Sequence, residues 1–356
     1  VGAGVAKIIL EKADTIEAKT GIRLELAAVV DKDTTAKRPV DLPDGVLTDD
    51  INALLKDDSI QIGAELIGGT GAAKQVQLDM LKAGKDVVTA NKALLAEHGH
   101  EIYQTATENG RCVAFEASCA GGIPIVSGIR TGLVANDIQA MYGILNGTCN
   151  YVLSRMATQG MAFDEALQQA QEKGYAEADP TLDISGGDSA HKLAILASLA
   201  FDYEIAYEDI SVEGIDSIAP EDLNYGREMG YVLKLLAVAY RLADGRLSLR
   251  LHPSCIPQDN PLARISGSFN AVSIFGDAVG QVIYYGRGAG MMPTASAVVA
   301  DIIDIALGNA GNTFRHTRRR PAKEAKQKIE RFEDSVSRFY IRMMAKDQAG
   351  VFADMA

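Results

Sequence analysis

The sequence of 356 residues lacks an excess of positive charge, a long apolar run and a signal-peptide pattern. Its formal net charge is −12, and the one basic run, RHTRRRP at 315–321, predicts a solvated linker. Because nucleic acids and anionic membranes bind cationic faces, neither is expected as a partner. No apolar run approaches the ~20 residues of a membrane span, so no membrane segment is expected either.

Cysteine and histidine are also scarce, and the pattern of each argues against a metal cluster. No CxxC pair is present and the five histidines are scattered, which disfavours a disulfide framework or a zinc site. The four cysteines are Cys112, Cys119, Cys149 and Cys255. With 47% apolar and 23% charged residues, the composition is that of a globular protein, and we expect a cytoplasmic enzyme with reduced thiols.

Residues 1–125 alternate between two hydrophobic periods. Helix-like stretches lie near 6–19, 49–57, 72–84 and 93–109, and strand-like stretches lie at 23–31, 62–69, 85–91 and 111–117. This alternation predicts βαβ units and a parallel sheet, an α/β fold of the Rossmann type. The start, VGAGVAKIIL, is typical of a glycine-rich turn that enters a helix, so we expect the first strand of this domain to be missing.

Residues 126–290 mix the two patterns and predict a separate α+β domain for substrate binding and dimerisation. Helices are expected at 149–158, 164–173, 188–201 and 226–242, and strands within 246–256 and 270–286. An apolar helix over 291–310 is expected to return to the first domain. A linker at 311–333, a helix around 322–338 and a further strand, turn and helix start at 334–356 complete the prediction.

Several residues at the carboxyl edge of the predicted parallel sheet are candidates for nucleotide binding. Gly2 and Gly4 flank a helix N-terminus, where free amides and the helix dipole favour a pyrophosphate. Asp31 ends the next strand and could bind ribose hydroxyls, whereas the adjacent Lys32 would suit a 2′-phosphate, so NAD and NADP both stay open. Thr70 in IGGTG and Lys92 in TANKALLA follow later strands; a plain turn and a solvated lysine are the alternatives.

Two turns could hold other ligands. In FEASCAGGIPIV, Glu116 and exposed backbone carbonyls would suit a cation that prefers oxygen ligands. In NGTCNY (146–151), the side chains of Asn146, Thr148 and Asn150 would normally cap a helix, although the same groups could bind a substrate.

The stretch YAEADPTLDISGGDSAHK (175–192) places four carboxylates before a helix that is apolar on every side. Asp188 and Lys192 are four residues apart and share one helix face. A surface ion-pair patch is one interpretation. The alternative is a partly desolvated lysine whose environment makes it a proton donor.

Taken together, the motifs resemble those of the homoserine dehydrogenase family in its monofunctional bacterial form. They are TANKALLA, FEAS-x-x-GGIPI, NGT-x-NY, GY-x-EADP-x-x-D-x-x-G-x-D-x-x-x-K and GRGAG-x-x-PTASAVVADI, in the family's order. The similarity covers residues 1 to about 310, and YIRMMAKDQAGVFADMA is similar to the start of an ACT domain, a ferredoxin-like regulatory module. This resemblance implies interconversion of L-aspartate 4-semialdehyde and L-homoserine in threonine, methionine and isoleucine biosynthesis, with NADP or NAD as cofactor.

The resemblance also implies residue roles. Lys192 would be the general acid and base, with Asp188 as its partner. Substrate would be bound by Glu177, Asp183, Lys92 and Thr148. Cofactor would contact Val1, Gly2, Thr70, Lys92 and Gly290, and a structural monovalent cation, sodium in type, would be ligated by Glu116 and by the carbonyls of Cys119, Gly121 and Ile123. A homodimer and an amino-acid effector such as threonine at the ACT domain are expected partners.

Two other functions remain open at this point. An acylating semialdehyde dehydrogenase would need a cysteine nucleophile, Cys119 or Cys149, activated by a base. A regulatory protein would bind a nucleotide or an amino acid without turnover.

Overall fold

The computed structural model describes residues 1–317, 324, 328–346, 348, 350, 351 and 353. The first part of the chain alternates helices and strands, as its sequence pattern predicts. In chain order these are α1 (Gly2–Thr20), β1 (Val29–Val30), β2 (Leu47–Thr48), α2 (Ile51–Leu55), β3 (Ile62–Glu65), α3 (Ala72–Lys82), β4 (Asp86–Thr89), α4 (Lys92–Glu108) and β5 (Val113–Ala114).

All strand pairs of this part are parallel. β1 pairs with β2, and a second sheet has the order β3-β4-β5. The central strand β4 is covered on both faces, since Val87 and Val88 are fully buried. Parallel strands buried in this way are typical of doubly covered α/β sheets. The predicted Rossmann-type α/β fold is therefore confirmed.

The predicted strand at 23–31 is shorter than expected. Only Val29–Val30 pairs with another strand, at Leu47–Thr48. Leu24 and Leu26 pack against a core cluster that also contains residues of α1. The alternation of apolar residues in this segment therefore reflects the packing of one of its sides against the core. Among the described residues, no strand is hydrogen-bonded to 22–28.

The rest of the chain forms a mixed α+β unit and two further helices. These elements are α5 (Ile125–Ser127), β6 (Ile138–Ile144), α6 (Gly147–Gln159), α7 (Phe163–Glu172), α8 (Thr181–Ile184), α9 (Gly187–Phe201), β7 (Ser211–Val212), α10 (Pro220–Glu228), β8 (Tyr231–Arg241), β9 (Leu247–Pro257), β10 (Phe269–Gly276), β11 (Gly280–Arg287), α11 (Met291–Ala306) and α12 (Asn309–His316).

A six-stranded sheet organises this unit, in the order β11-β10-β6-β8-β9-β7. Every neighbouring pair is antiparallel except β7 with β9. The register places Ala271 of β10 opposite Ile144 of β6, so both strands meet at one end of the sheet. The hairpin connections at 242–246 and 277–279 therefore lie at the opposite end.

The helix predicted at 226–242 is wrong, because Tyr231–Arg241 is strand β8. β8 lies between β6 and β9, and its central residues are buried on both faces of the sheet. A strand buried on both faces has a continuous apolar run instead of alternation, and such a run cannot be distinguished from a buried helix by periodicity. Leucine and alanine in YVLKLLAVAYR strengthened the helical interpretation, and tertiary pairing overrides that propensity.

Helix α11 packs along α1 in a core cluster that includes Val5, Ile8, Val298 and Ile302. The contact is close at Gly4, where an added Cβ would lie 3.0 Å from Ala295 Cβ and from Met291 Cγ. Glycine at this position allows the two helices to approach closely. Over the described parts of the chain, no single helix has the length and apolarity to cross a membrane; α11 and α12 meet that test only as a pair, and they are bent by 83°.

The segment after α11 differs from its prediction. α12 occupies 309–316, where the linker was expected to begin. The helix predicted around 322–338 is wrong over 328–338, which contains only an isolated bridge at Ile329 and a short 3-10 turn at Phe332–Asp334. The described residues 335–346 carry no strand or helix, so the ACT prediction at 334–356 is not confirmed. Residues 318–323, 325–327, 347, 349, 352 and 354–356 lie outside the described residues.

Candidate active site

Helix α9 carries the two charged residues at the centre of the site. It begins after Gly186, which has a φ of 91° and is the last residue of the preceding turn. All residues of α9 are buried. Asp188 and Lys192 lie one turn apart, with Lys192 Nζ 2.7 Å from Asp188 Oδ2. The surface ion-pair interpretation is therefore wrong, because the pair is buried.

The Lys192 ammonium has two fixed partners. Besides Asp188, Nζ donates to the carbonyl oxygen of Leu145 at 2.7 Å. An ammonium group has three N–H donors. One donor therefore remains for a bound molecule.

Asp188 is held by cations and by an amide. Lys92 Nζ lies 3.2 Å from Asp188 Oδ1, and Asn146 Nδ2 donates to Oδ2 at 2.8 Å. Burial by itself raises the pKa of Asp188, but the charges of Lys192 and Lys92 and the hydrogen bonds outweigh burial and hold this pKa well below its usual range. The carboxylate is therefore a permanent counter-charge for the lysines.

Asn146, Thr148 and Asp183 form a second layer of the site at the start of α6. Asn146 Nδ2 donates to Asp183 Oδ1 at 2.7 Å, and Thr148 Oγ1 lies 3.1 Å from Asp183 Oδ2. Burial and then the nearby charge of Asp188 raise the pKa of Asp183. Asn146 also accepts from the Cys149 amide at 2.8 Å, so its predicted capping role and its place in the site coexist.

Glu177 lies apart from this cluster. It is exposed in the loop between α7 and α8, and among the described contacts its backbone carbonyl, but not its carboxylate, accepts a hydrogen bond. The structure therefore brings together Lys192, Asp188, Lys92, Asp183 and Thr148, and leaves Glu177 at the rim.

The predicted cofactor residues lie at helix starts and in turns. Val1 is exposed and precedes α1, and Gly290, with φ of 124°, precedes α11. Thr70 follows Gly68 and Gly69, which both have positive φ and would meet nothing within 4 Å if they carried a Cβ. The backbone of this turn is thus open on one side.

Asp31 directly follows β1 and is paired with an arginine. Arg38 Nη2 lies 2.9 Å from Asp31 Oδ2. The hydrogen bond from Arg38 lowers the pKa of Asp31. The carboxylate predicted for ribose hydroxyls therefore has a guanidinium group beside it.

A buried carboxylate that the sequence interpretation missed supports the 66–70 turn. Glu65 is 1% exposed; its Oε1 accepts the amides of Ile67 and Gly68 at 2.7 and 3.2 Å. Its Oε2 accepts from Gln77 at 2.7 Å and from Thr89 at 2.9 Å. The signal available in the sequence was a lone acid inside the apolar strand IGAELIGG.

The same network reaches the N-terminus of α4. Thr89 Oγ1 accepts the amide of Asn91 at 3.0 Å, and Asn91 Nδ2 donates to the carbonyl of Gly69 at 2.7 Å. Asn91 also caps α4 by accepting from Leu94 N at 3.2 Å. These bonds fix the position of Lys92, the first residue of α4, at the edge of the sheet.

The predicted cation loop contains two consecutive residues with positive φ, Ala120 at 54° and Gly121 at 55°. The carboxylate of Glu116 is not free, because it accepts the amides of Val126 and Ser127, each at 2.8 Å. The Glu116 amide in turn donates to Asp301, whose pKa burial raises to about 8. Among the described residues, no cluster of three or more His, Cys, Asp or Glu side chains could hold a metal ion.

None of the cysteines has the environment of a nucleophile. All four are unpaired. Burial raises the pKa of Cys119 to about 12 and raises that of Cys149 well above its usual value. Because the thiolate is the reactive form, these raised pKa values disfavour Cys119 and Cys149 as nucleophiles at neutral pH.

A cavity of about 790 Å³ lies elsewhere, between the end of α9 and α12. Its lining includes Leu133, Leu199, Asp202 and His316, and none of the predicted site residues. The charged and hydrogen-bonding side chains predicted for the site are therefore grouped around Lys192 and not in this cavity.

Comparison with sequence profiles gives one family for both parts of the chain. A profile described as homoserine dehydrogenase matches residues 124–303, and one described as homoserine dehydrogenase, NAD binding domain, matches residues 1–116. The chain is 43% identical to a homoserine dehydrogenase from Pseudomonas aeruginosa and 42% identical to one from Neisseria gonorrhoeae. Each alignment covers 100% of this chain and 82% of the relative.

Solved structures give the same result. A homoserine dehydrogenase from Thiobacillus denitrificans superposes with a TM-score of 0.81 at 40% identity, over 93% of this chain and 76% of that one. A hyperthermophilic archaeal homoserine dehydrogenase in complex with NADPH superposes with a TM-score of 0.72 at 26% identity, over 86% of this chain and 95% of that one.

Proposed function

Because this chain belongs to the homoserine dehydrogenase family, we propose that it interconverts L-homoserine and L-aspartate 4-semialdehyde, with Lys192 as the residue that moves the proton. It is an NAD(P)-dependent oxidoreductase. The observation that supports the role of Lys192 is its buried ammonium, fixed 2.7 Å from both Asp188 and the Leu145 carbonyl, with one donor left over.

Lys192 would bind the substrate's reacting oxygen with that remaining N–H. In the reducing direction the lysine gives a proton to the aldehyde oxygen as negative charge develops there, and in the oxidising direction it takes the hydroxyl proton. Asp188 keeps the ammonium in place and balances its charge. Lys92, on the other oxygen of Asp188, adds positive potential near the developing alkoxide.

Acidic residues would bind the amino group of the substrate. Asp183 lies one layer behind Asp188 and is bonded to Asn146 and Thr148, which fixes its direction. Glu177 lies in the exposed loop at the rim, from which it would contact the same ammonium when substrate is bound. These two carboxylates support selectivity for an amino acid over a simple alcohol.

The residues present fit a nicotinamide cofactor, which supplies and accepts the hydride. Its contacts would be Val1 and Gly2 at the start of α1, Thr70 in the open turn, Lys92 at the start of α4 and Gly290 before α11. Asp31 would bind ribose hydroxyls and Arg38 would accommodate a 2′-phosphate, so NAD and NADP are both candidates.

The loop after Glu116 also fits a monovalent cation of the sodium type. Within the described residues, no hydrogen bond uses the carbonyl oxygens of Cys119 and Gly121. Together with the carbonyls of Glu116 and Ile123, they would hold the cation through backbone oxygens, since the Glu116 carboxylate is already bonded to amides.

Assembly, regulation and location complete the proposal. A homodimer is supported by the β-rich stretches at 247–285, and a monomeric mass in solution would contradict it. An amino-acid effector such as threonine would bind the segment after 334, measurable as inhibition of turnover. The unpaired cysteines support a reducing compartment such as the cytoplasm.

Steady-state oxidation of L-homoserine, followed as reduction of NAD or NADP, tests the function. Lys192→Ala is expected to lower kcat by about 10²–10⁴-fold, because general acid–base catalysis contributes that much. Cys149→Ser should retain activity. Loss of activity in Cys149→Ser with retention in Lys192→Ala would instead support a cysteine-dependent acylating enzyme, and ligand binding without turnover would support a regulatory protein.

A further inference from the structure

We propose that Asn270 is a positioning residue for Lys192, and that it acts by fixing the Leu145 carbonyl to which the lysine donates. The inference rests on the proposed function, because it concerns the geometry of the proton donor in that reaction. Asn270 is the second residue of β10 and is 1% exposed.

The two side chains share one acceptor. Asn270 Nδ2 donates to the Leu145 carbonyl oxygen at 2.9 Å, and Lys192 Nζ donates to the same oxygen at 2.7 Å. A carbonyl oxygen has two lone pairs and can accept both bonds. The orientation of the carboxamide follows from this contact, since only its NH₂ end can donate to a carbonyl.

The Leu145 carbonyl depends on these bonds for its direction. Leu145 lies between the end of β6 at Ile144 and the start of α6 at Gly147, so neither element's backbone ladder includes it. Among the described residues, only Asn270 and Lys192 donate to this oxygen. Without Asn270, the carbonyl could rotate and carry the ammonium with it.

The opposite end of Asn270 has no partner. Its Oδ1 is buried and accepts no hydrogen bond among the described residues. A buried orphan acceptor costs free energy, and a leucine of similar size would avoid that cost. The bond to Leu145 accounts for an asparagine at this position.

Packing prevents the carboxamide from turning. An added Cβ on Gly288 would overlap the Asn270 carboxamide, so the side chain lies directly against the Gly288 backbone. An added Cβ on Gly121 would overlap the Gly288 carbonyl, so Gly288 is itself backed by the 119–123 loop. The Asn270 side chain therefore lies between the Gly288 backbone and the Leu145 carbonyl to which it donates.

Three variants test this arrangement in homoserine oxidation. Asn270→Leu removes the donor, Asn270→Asp keeps the shape with oxygen in place of NH₂, and Gly288→Ala displaces an intact asparagine. Each is expected to lower kcat by about 10- to 100-fold, since a small misplacement of a catalytic group has that effect. In the two Asn270 variants the KM for the nicotinamide cofactor should stay within about 2-fold, because only the proton donor moves; Gly288→Ala lies two residues from Gly290 and is therefore compared by kcat and the isotope effect.

The solvent deuterium isotope effect on kcat separates positioning from a structural defect. A misplaced Lys192 slows proton transfer, so the isotope effect should increase in all three variants. Ser273→Ala, a buried change on the same strand with its hydrogen bond to Gln281, is the matched control and should match the natural chain. Melting temperatures and circular dichroism report folding.

The outcomes are distinguishable. Unchanged kcat and isotope effect in a folded Asn270→Leu variant would overturn the inference. A loss of activity with an unchanged isotope effect and higher KM values for both substrates would assign Asn270 a structural role and would also overturn it. If Asn270→Leu does not fold, the kcat and the isotope effect of Asn270→Asp and Gly288→Ala test the inference in its place. If the natural chain itself does not oxidise homoserine, the proposed function fails and this inference fails with it, whereas an active natural chain with an unaffected Asn270→Leu variant overturns the inference alone.

Discussion

Lys92 Nζ lies 3.2 Å from Oδ1 of Asp188, and this ion pair joins the two parts of the molecule. Lys92 begins α4 beside the parallel sheet, whereas Asp188 begins α9 in the mixed unit. The other carboxylate oxygen binds Lys192. One buried carboxylate therefore fixes the distance between Lys92 beside the parallel sheet and Lys192, the proposed proton donor.

Lys92→Met removes the cation and keeps most of the alkyl chain. We expect kcat/KM for homoserine to fall by about 10-fold or more, because a charge near the developing alkoxide is lost. Lys192 keeps its bond to Asp188, so turnover should persist. Lys7→Met, which removes only an exposed lysine 3.9 Å from Glu11, is the control and should have natural activity. Equal kcat/KM in both variants would contradict a role for Lys92.

Asp188→Asn tests the electrostatics through the pH dependence of stability. The pKa of Asp188 is lowered in the folded state, so its contribution to the free energy of unfolding is present above the unfolded pKa of ~4 and is lost as pH falls. Urea unfolding of the natural chain should therefore weaken more steeply below about pH 5 than that of the variant. Near neutral pH the variant should be less stable by about 3–5 kcal/mol, because two lysines lose their counter-charge. Parallel pH curves would refute this account.

Thr89→Val removes the hydroxyl that links Glu65, Gln77 and the amide of Asn91. We expect the KM for the nicotinamide cofactor to rise several-fold, with little change in the KM for homoserine, because the turn at 66–70 and the start of α4 lose a common support. Thr107→Val is the control, since among the described residues its exposed hydroxyl donates to the Tyr103 carbonyl within α4 and to no group of the turn or the site. An identical increase in both KM values would argue for a general loss of folding instead.

Gly4→Ala tests the close packing of α1 on α11. The new methyl group would lie 3.0 Å from Ala295 Cβ and Met291 Cγ. Overpacking of this kind costs about 1–3 kcal/mol, measurable as a lower urea midpoint. Gly311→Ala in α12 meets nothing within 4 Å and should be neutral or stabilising. Similar midpoints for the two variants would show that the helices adjust freely.

Much of the fold followed from periodicity alone. The βαβ alternation of residues 62–117 appears in the structure with small shifts at the ends, because short apolar runs typical of buried parallel strands alternate with helices that have a period of 3.6. β8 was missed because a strand buried on both faces has no period to detect. The short length of β1 could not be predicted from residues 23–31 either, since strand pairing depends on β2, which lies elsewhere in the sequence.

The site was predictable where its residues share one helix. Asp188 and Lys192 are four apart, so their contact follows from helical geometry. Asn270 contacts the Leu145 carbonyl only because the β6–β10 register aligns two segments 125 residues apart. A polar residue inside an apolar strand was the only sign of Asn270, and the same applies to Glu65.

The hairpin connection at 242–246 lies at the far end of the six-stranded sheet from Leu145, and Ala243 and Asp244 are exposed there. Three of the native cysteines are buried and the fourth is only partly accessible. A single cysteine introduced at Ala243 would therefore be the preferred target of a thiol-reactive dye or a surface tether. Immobilised in this way, the molecule would present the end of the sheet that carries Leu145 to solution, which suits sensors that report turnover at an electrode or a bead.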